Sequence, residues 1–280
     1  MWIWLAFIGK ESYNKLEIKI DKGDIMVKVK LDILAALDGS WDIIRKNKGV
    51  LGILLLLNLT LSIANNFLVV IPDYDSATVP AFSMDMIKMQ VQTLFFLFLF
   101  FMINNMVLLI VKHDKNETDY HFSELPWPAF VKVFVGIGAI ILLILAMIIP
   151  NIIIGVLIAA LGPVGIVFFI AYMIAIVYIM FCMSFIVESV VFEDVGPIMA
   201  IKNSFKLVSH NFFRLLLFYL VTGGVIMVIA FSTMNLDLVR YLIMPIQSAL
   251  GIFTTIISGL IYSQCLVKKD VQVEIFSEID

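Results

Sequence analysis

Charged residues and cysteines are scarce in this sequence, and apolar residues take their place. Only 15% of the 280 residues are charged, against about 25% in an average soluble domain. Hydrophobic residues make up 62% of the chain, and its mean hydropathy is +1.05. A soluble protein of this size could not hide so much apolar surface from water, whereas a bilayer is itself an apolar solvent. The composition therefore predicts an integral membrane protein.

The few ionisable groups exclude several functional classes. The net charge is −3, which provides no basic surface and argues against a nucleic-acid partner. The two cysteines, Cys182 and Cys265, lie in apolar runs, so we interpret them as buried hydrophobes and not as a disulfide or metal site. The sequence has no Walker loop, dinucleotide fingerprint or Gly-x-Ser-x-Gly motif. We therefore expect no cofactor, no metal and no catalytic residue.

The apolar residues form runs long enough to cross a bilayer as helices, which takes about 20 consecutive apolar residues. The longest run, from Val133 to Val187, has no Asp, Glu, Lys or Arg. As one helix it would be about 80 Å long, too long for a single crossing. We therefore predict an all-α, polytopic membrane helix bundle with six transmembrane spans. The spans are placed at about 50–71, 91–111, 128–149, 164–187, 212–231 and 241–267.

The distribution of Lys and Arg favours two spans in the long run over three. With six spans, every Lys and Arg except Lys88 and Arg240 falls on one side, which the positive-inside rule makes the cytoplasm. We therefore expect a multi-pass protein of the cell (plasma) membrane with both termini in the cytoplasm. Pro150 and Pro163 mark the breaks in the run, and residues 152–161 form either a kinked extension or a short re-entrant piece.

The chain divides into a polar lead, one membrane domain and a tail. Residues 1–30 are the lead, residues 31–267 the membrane domain, and residues 268–280 a cytoplasmic tail. The apolar start precedes the first positive charge instead of following it, which does not suit a signal peptide. We expect translation to begin at Met26, which would make residues 1–25 upstream sequence.

Two segments that precede spans one and five repeat each other. LAALDGSWDIIRKN at 34–47 matches IMAIKNSFKLVSHN at 198–211. The helical spacing of the apolar positions predicts amphipathic helices at about 31–47 and 197–210. We interpret them as interfacial helices in an internal, parallel repeat, whose unit is one such helix and two spans.

Each copy of the repeat carries two small residues one helical turn apart, Ala36 with Ser40 and Ala200 with Ser204. Small residues at this spacing allow another helix to approach closely. We expect the two pairs to pack against each other about a pseudo-two-fold axis. The alternative is that any amphipathic helix next to a span has this pattern and that both helices only float in the interface.

Uncharged polar residues in spans one, two and six suggest a path for a small solute. The candidates are Asn58, Asn65, Asn66, Asn104, Asn105 and Gln247. Hydrogen bonding between helices, worth about 0.6 kcal/mol per bond in a measured membrane protein, explains such residues equally well. We favour this second interpretation.

Two groups of ionisable residues can be interpreted either as functional sites or as ordinary charged residues that contact water. Glu188 lies at the cytoplasmic end of span four, and we interpret it as an interfacial carboxylate that reaches water or pairs with Lys202 or Arg214. The loop after span two holds six potential metal ligands, but without the spacing of a zinc site, so we interpret it as a solvated charged loop. These six are His113, Asp114, Glu117, Asp119, His121 and Glu124.

The segment after span four carries a resemblance to a known group. It is Glu188-Ser-Val-Val-Phe-Glu-Asp-Val-Gly196, followed by Ala200, Ser204 and Asn211-Phe-Phe-Arg214. It resembles the second half of a broad group of poorly characterised six-span prokaryotic integral membrane proteins, which includes the membrane domain joined to some glycerophosphoryl diester phosphodiesterases. The resemblance covers about residues 30–267 in layout and about 188–220 in residues. It implies a six-span layout and no phosphodiesterase activity, because that activity belongs to a soluble domain.

Together these features predict a non-enzymatic membrane protein, a permease-like or lipid- and envelope-associated accessory component. Its expected partners are the lipid bilayer and another membrane or envelope protein. The alternative is a small-solute transporter or channel that uses the polar residues of spans one, two and six. A membrane-embedded enzyme ranks third, because the sequence has no visible nucleophile–base pair or metal cluster.

Overall fold

A computed structural model of the protein describes residues 32–68, 84–161, 164–233 and 237–277, and these ranges contain helices and short connections but no strand. The all-α prediction is confirmed for them. The polar lead and the expected start at Met26 lie outside the described residues.

The α-helices are α1 (Ile33–Lys46), α2 (Lys48–Leu68), α3 (Met84–Lys115), α4 (Pro126–Leu161), α5 (Gly165–Ser184), α6 (Ile186–Glu193), α7 (Pro197–Thr233) and α8 (Asp237–Ser277). A short 3-10 helix, Phe122–Glu124, precedes α4.

Five helical segments in the described residues are long and apolar enough to cross a membrane, as expected of an integral membrane protein. They are Lys48–Asn65, Ile87–Lys115, Phe122–Ile158, Gly165–Glu193 and Met244–Gln264. A further apolar segment, Asn211–Gly224, is shorter. It belongs to α7, whose backbone stays helical to Thr233.

The helix α4 does not end at the predicted break. It runs from Pro126 through Pro150 to Leu161, so the prediction that Pro150 ends the helix is wrong. A proline removes one backbone hydrogen bond, but neighbouring groups in membrane helices re-satisfy the freed carbonyl. Residues 152–161 therefore extend α4 instead of forming a separate re-entrant piece. With 36 residues, α4 is about 54 Å long, which exceeds the hydrocarbon thickness of a bilayer.

Two asparagines at matching positions of the sequence repeat bend the chain in similar ways. Asn47 separates α1 from α2 with φ −108° and ψ 22°, and Asn211 interrupts α7 with φ −128° and ψ 15°. Each side-chain amide donates to the carbonyl four residues earlier, over 3.0 Å to Ile43 and 3.3 Å to Leu207. Each amide therefore reinforces the last turn of the amphipathic helix where the chain turns into the next helix.

The core of the bundle lies where α3, α6 and α8 meet. The stretch from Met106 to Val111 on α3 is buried, and α6 contacts α3, α4, α5, α7 and α8. Gly259 lets α8 approach both neighbours, because a Cβ there would lie 3.0 Å from Leu108 Cδ2 and 3.5 Å from Phe192 Cε2. The short helix α6 therefore forms the centre around which the longer helices pack.

The hairpin of α4 and α5, in residues 140–161 and 164–180, exposes apolar side chains along much of its length. Ile149 and Ile152 of α4 are 66% and 62% exposed, and Val167 and Ile174 of α5 are 67% and 63% exposed. Apolar surface of this extent is stable only in contact with lipid or with another apolar surface. We refer to this part as the α4–α5 hairpin.

We predict that Gly259→Leu lowers the thermal stability of the protein in detergent, because the added side chain has no room between α3 and α6. Overpacking of this kind typically costs about 1–3 kcal/mol. The matched control is Gly251→Leu on the same helix, where an added Cβ meets no atom within 4 Å. Equal melting temperatures of the two variants would contradict the close packing of α8 on α3 and α6.

Candidate functional site around the short helix α6

The helix α6 has both of its ends set by local backbone conformation. It begins after a break at Phe185, whose φ of −102° and ψ of 2° end α5. It ends at Asp194, which adopts the left-handed conformation with φ 54°. The next helix begins at Pro197, as predicted, because the missing N–H of proline is tolerated at the first helical position. This leaves a helix of eight residues with the carbonyls of its last turn inside the bundle.

Two lysines from different helices satisfy these carbonyls. Lys112 Nζ of α3 donates to Val191 O over 2.9 Å and to Asp194 Oδ2 over 2.5 Å. Lys132 Nζ of α4 donates to Val190 O over 3.1 Å and also to Asp194 Oδ1. We call Lys112, Lys132 and Asp194 the lysine clamp. It binds α3 and α4 to the C-terminal end of α6.

The electrostatics of the lysine clamp are favourable on two counts. The C-terminus of a helix carries partial negative charge, so ammonium groups beside it are stabilising. Partial burial opposes the ionisation of Asp194, but hydrogen bonds from Lys112 and Lys132 outweigh it and hold the pKa of that carboxyl below its usual range. The lysine side chains are only 19% and 12% exposed. Asp194 itself is 63% exposed, so water screens its attraction to the lysines, and the buried part of the clamp is the pair of lysine–carbonyl bonds.

A second carboxylate ties α6 to the two helices on its other side. Glu193 Oε1 accepts hydrogen bonds from Asn203 Nδ2 of α7 over 2.9 Å and from the hydroxyl of Tyr262 on α8. Ser189 Oγ, one turn earlier on α6, donates to the same oxygen over 3.4 Å. The acidic end of α6 is therefore bonded to α3, α4, α7 and α8.

Glu188 lies in the interior of the bundle. It is 5% exposed, and its Oε1 accepts a hydrogen bond from Ser258 Oγ of α8 over 2.6 Å. Its Oε2 has no hydrogen-bond partner among the described residues. The expectation that Glu188 reaches water or pairs with Lys202 or Arg214 is wrong. The break at Phe185 starts a new helix, which directs this side chain towards α8 instead of continuing the direction of α5.

The proposed polar-path residues bond several different pairs of helices. Asn58 Nδ2 lies 3.5 Å from Ser248 O, which joins α2 to α8, and Asn104 Oδ1 accepts from Thr255 Oγ1 of α8 over 3.4 Å. Asn105 Nδ2 donates to the carbonyl of Ala129 on α4 over 3.4 Å. These contacts match the interpretation as hydrogen bonding between helices.

The remaining candidates do not join Asn58, Asn104 and Asn105 into one continuous path for a solute. Gln247 is exposed and Asn65 is half-buried, while the side chain of Asn66 lies outside the described residues. The structure therefore places Asn104 and Asn105 side by side on α3, but it does not align the five candidates with described side chains along a common face.

The two pairs of small residues are buried, yet they do not pack against each other. Ala36 and Ser40 are 1% and 0% exposed on the face of α1 that packs on α8. Ala200 packs with residues of α4 and α6, and Ser204 Oγ donates to the carbonyl of Cys182 on α5. The predicted pairing about a pseudo-two-fold axis is wrong, because α4, α5 and α6 occupy the position next to the second pair.

The loop after α3 forms an open cleft of about 620 Å³ beside Asn47. Tyr120 donates to Asn47 Oδ1 over 2.6 Å, and burial, reinforced by the charge of Asp114, raises the pKa of this tyrosine. Asp114 pairs with Lys46 over 3.3 Å, and His113 bonds Thr118 over 2.7 Å. Within the described ranges, no three acidic, His or Cys side chains are placed to hold a metal ion.

Residues 31–266 match the family described as Domain of unknown function (DUF7847). The chain belongs to this family. No curated protein and no solved structure matches it. The matched range contains α1 to α7 and most of α8, and therefore the whole of the site around α6.

Sequence reasoning missed the lysine clamp of this DUF7847 protein, although the sequence holds part of the information. Lys112 and Lys132 are the lysines nearest the adjoining ends of spans two and three, so a two-span hairpin brings them to the same side. Asp194 lies between an apolar helix and Pro197, where the chain must turn. The sequence gives no means of knowing that these three side chains meet, since this requires the packing of α6 between α3 and α4.

We predict that Asp194→Asn in the DUF7847 protein lowers its stability by about 0.5–1 kcal/mol, because the charged hydrogen bonds to two lysines become neutral ones and the exposure of Asp194 screens the loss. Asparagine tolerates the left-handed conformation at this position, so the change removes charge without adding backbone strain. Thermal unfolding in detergent measures the difference. Asp38→Asn, at an exposed position of α1, is the matched control.

The same pair of variants makes a pH-dependent prediction. The pKa of Asp194 is lowered on folding, so its contribution to stability is present above the unfolded-state pKa and is lost as the pH falls through the folded-state value. The stability difference between the wild type and Asp194→Asn should therefore shrink on acidification. A difference that stays constant across the acidic range would show that the charge of Asp194 does not stabilise the fold.

Proposed function

We propose that this protein is a six-span integral protein of the cell membrane with both termini in the cytoplasm. The ionic contacts described here support this arrangement, because they collect at one end of the bundle. The lysine clamp joins the end of α3 to the start of α4, and Lys46 pairs with Asp114 in the last turn of α3. The positive-inside rule assigns that end to the cytoplasm. In this arrangement α7 from Asn211 onward provides the fifth span.

We further propose that the six spans include two copies of one unit, an interfacial helix followed by two spans. The matching bends at Asn47 and Asn211, with the same side-chain bond to the carbonyl four residues earlier, support this proposal. The burial of Ala36 and Ser40 in one copy and of Ala200 and Ser204 in the other also supports it. The hairpin α4–α5 and the helix α6 lie between the copies in sequence.

The activity we propose is that of a non-enzymatic accessory component, which acts through lipid or through another membrane or envelope protein. The observation that carries the proposal is the contrast between the core and the α4–α5 hairpin. Polar side chains of the core are bonded across helices, as Asn58, Asn104 and Asn105 are. The hairpin instead exposes a long apolar surface, which suits an occupant from the membrane itself.

The topology predicts opposite labelling of two engineered cysteines. Ser76→Cys and Ser123→Cys are each made in a background where Cys182 and Cys265 are replaced by serine. A membrane-impermeant thiol reagent should label the first in intact cells and the second only after permeabilisation, because Ser76 lies in an outer loop and Ser123 in an inner one. Equal labelling of both positions in intact cells would contradict the six-span arrangement.

Purification in native lipid particles, followed by mass spectrometry, tests the accessory function. We expect one lipid class or one membrane protein to be enriched over the levels found with an unrelated polytopic protein of the same membrane. Ile149→Ala with Ile152→Ala should reduce the enrichment, since both side chains are on the exposed part of α4. Phe213→Ala, at an 81% exposed position of α7, is the control.

The alternative of a solute transporter predicts a different result. Saturable solute flux into proteoliposomes of the pure protein, abolished by Asn104→Leu and unaffected by the hairpin variant, would contradict the accessory function. In that case the polar residues of the core would be the functional ones and the hairpin only a lipid-facing surface.

A further inference from the structure

The buried carboxyl of Glu188 is not explained by the packing of the bundle or by the proposed accessory function. Its side chain is 5% exposed, and one oxygen accepts a hydrogen bond from Ser258. The other oxygen is buried without a hydrogen-bond partner among the described residues. A buried carboxylate oxygen normally has a donor or a cation beside it. Oε2 is therefore a carboxylate oxygen whose negative charge no described donor stabilises.

Among the described residues, the titratable groups that interact with Glu188 supply no positive charge to it. They are the hydroxyls of Tyr219 on α7 and Tyr262 on α8. Tyr219 donates its own hydroxyl proton to Ser184, and Tyr262 donates to Glu193.

The ammonium groups and the thiol of the neighbouring helices are engaged elsewhere. Lys112 of α3 and Lys132 of α4 bond the other end of α6, at Val190, Val191 and Asp194. On α5, Cys182 interacts with Tyr178. Glu193 on α6 itself is acidic and would repel a second negative charge. An ionised Glu188 would therefore be a buried charge without an opposite charge next to it, which is unfavourable in an interior of low polarity.

We propose that Glu188 is a proton-binding site in the core of the bundle. In the proton-bound state Oε1 is the carbonyl oxygen, which accepts the hydrogen bond from Ser258, and Oε2 carries the proton. In the proton-free state, the negative charge of the carboxylate must be stabilised by water or by a rearrangement of α6 against α8. The lysine clamp fixes the C-terminal end of α6. Loss of the proton therefore changes the hydrogen bond between Glu188 and Ser258 and leaves that end in place.

Infrared spectroscopy of the protein in lipid tests the proposal directly. A protonated carboxyl group gives a C=O stretching band above the amide I band, and an ionised one does not. We expect this band at neutral pH, its loss at alkaline pH, and its absence in Glu188→Gln. Glu193→Gln should keep the band. The proposal is overturned if the wild type has no such band at neutral or acidic pH, or if Glu193→Gln removes it.

A second variant assigns the band even if Glu188→Gln does not fold. Ser258→Ala removes the donor to Oε1, and a carbonyl that loses a hydrogen bond stretches at higher frequency. The band of Glu188 should therefore shift upward in Ser258→Ala and remain in place in Thr254→Ala, whose hydroxyl bonds the backbone of its own helix. An unshifted band in Ser258→Ala would show that the proton resides on another group.

Covalent modification gives an independent readout. A lipid-soluble carbodiimide reacts with a protonated carboxyl: the carboxyl oxygen bonds to the central carbon of the reagent, and the proton moves to one of its nitrogens. The adduct then rearranges to an N-acylurea, so the peptide gains the mass of one whole reagent molecule. We expect this gain on the peptide that contains Glu188, with less labelling at alkaline pH. Labelling on a different carboxyl peptide alone would overturn the proposal.

Discussion

The carbonyl groups at the end of α6 face the interior of the bundle, and the ammonium groups of Lys112 and Lys132 satisfy them. Val190 and Val191 are buried, so without these donors their carbonyls would lack partners, at a cost of about 1–3 kcal/mol each. Asp194 holds both lysines in place and needs a left-handed backbone to do so. The position of α6, and with it the contacts among α3, α4, α7 and α8, depends on this group of charged bonds.

The rest of the core follows from having α6 fixed at the centre. Ser258 and Tyr262 lie one helical turn apart on α8, and they bond the two carboxylates of α6. Thr255, one turn earlier, bonds Asn104 of α3, so one face of α8 carries a row of polar contacts. Gly259 lies beside this row and leaves room for the side chains of Leu108 and Phe192. The apolar hairpin α4–α5 is free of these constraints and offers its surface to lipid or to a partner.

Much of the architecture could be predicted from the sequence, because the membrane makes composition and periodicity informative. The all-α fold, the start of α7 at Pro197 and the amphipathic helices that precede the bends at Asn47 and Asn211 are anticipated by patterns within short windows. The failures concern where a helix ends and which distant segments it contacts. A local pattern cannot show that α4 continues through Pro150, or that α5 and α6 separate Ala200 from Ala36.

The charged site was the hardest part to predict, for the same physical reason. Whether Glu188 is interfacial or buried depends on the one-residue break at Phe185, which no residue preference specifies.

Hydrogen–deuterium exchange of the protein in lipid nanodiscs tests the central position of α6 most directly. The account predicts that the amides of Ile186–Glu193 exchange as slowly as those of the buried α3 stretch. Exchange of α6 as fast as that of the exposed loop at residues 116–121 would contradict it.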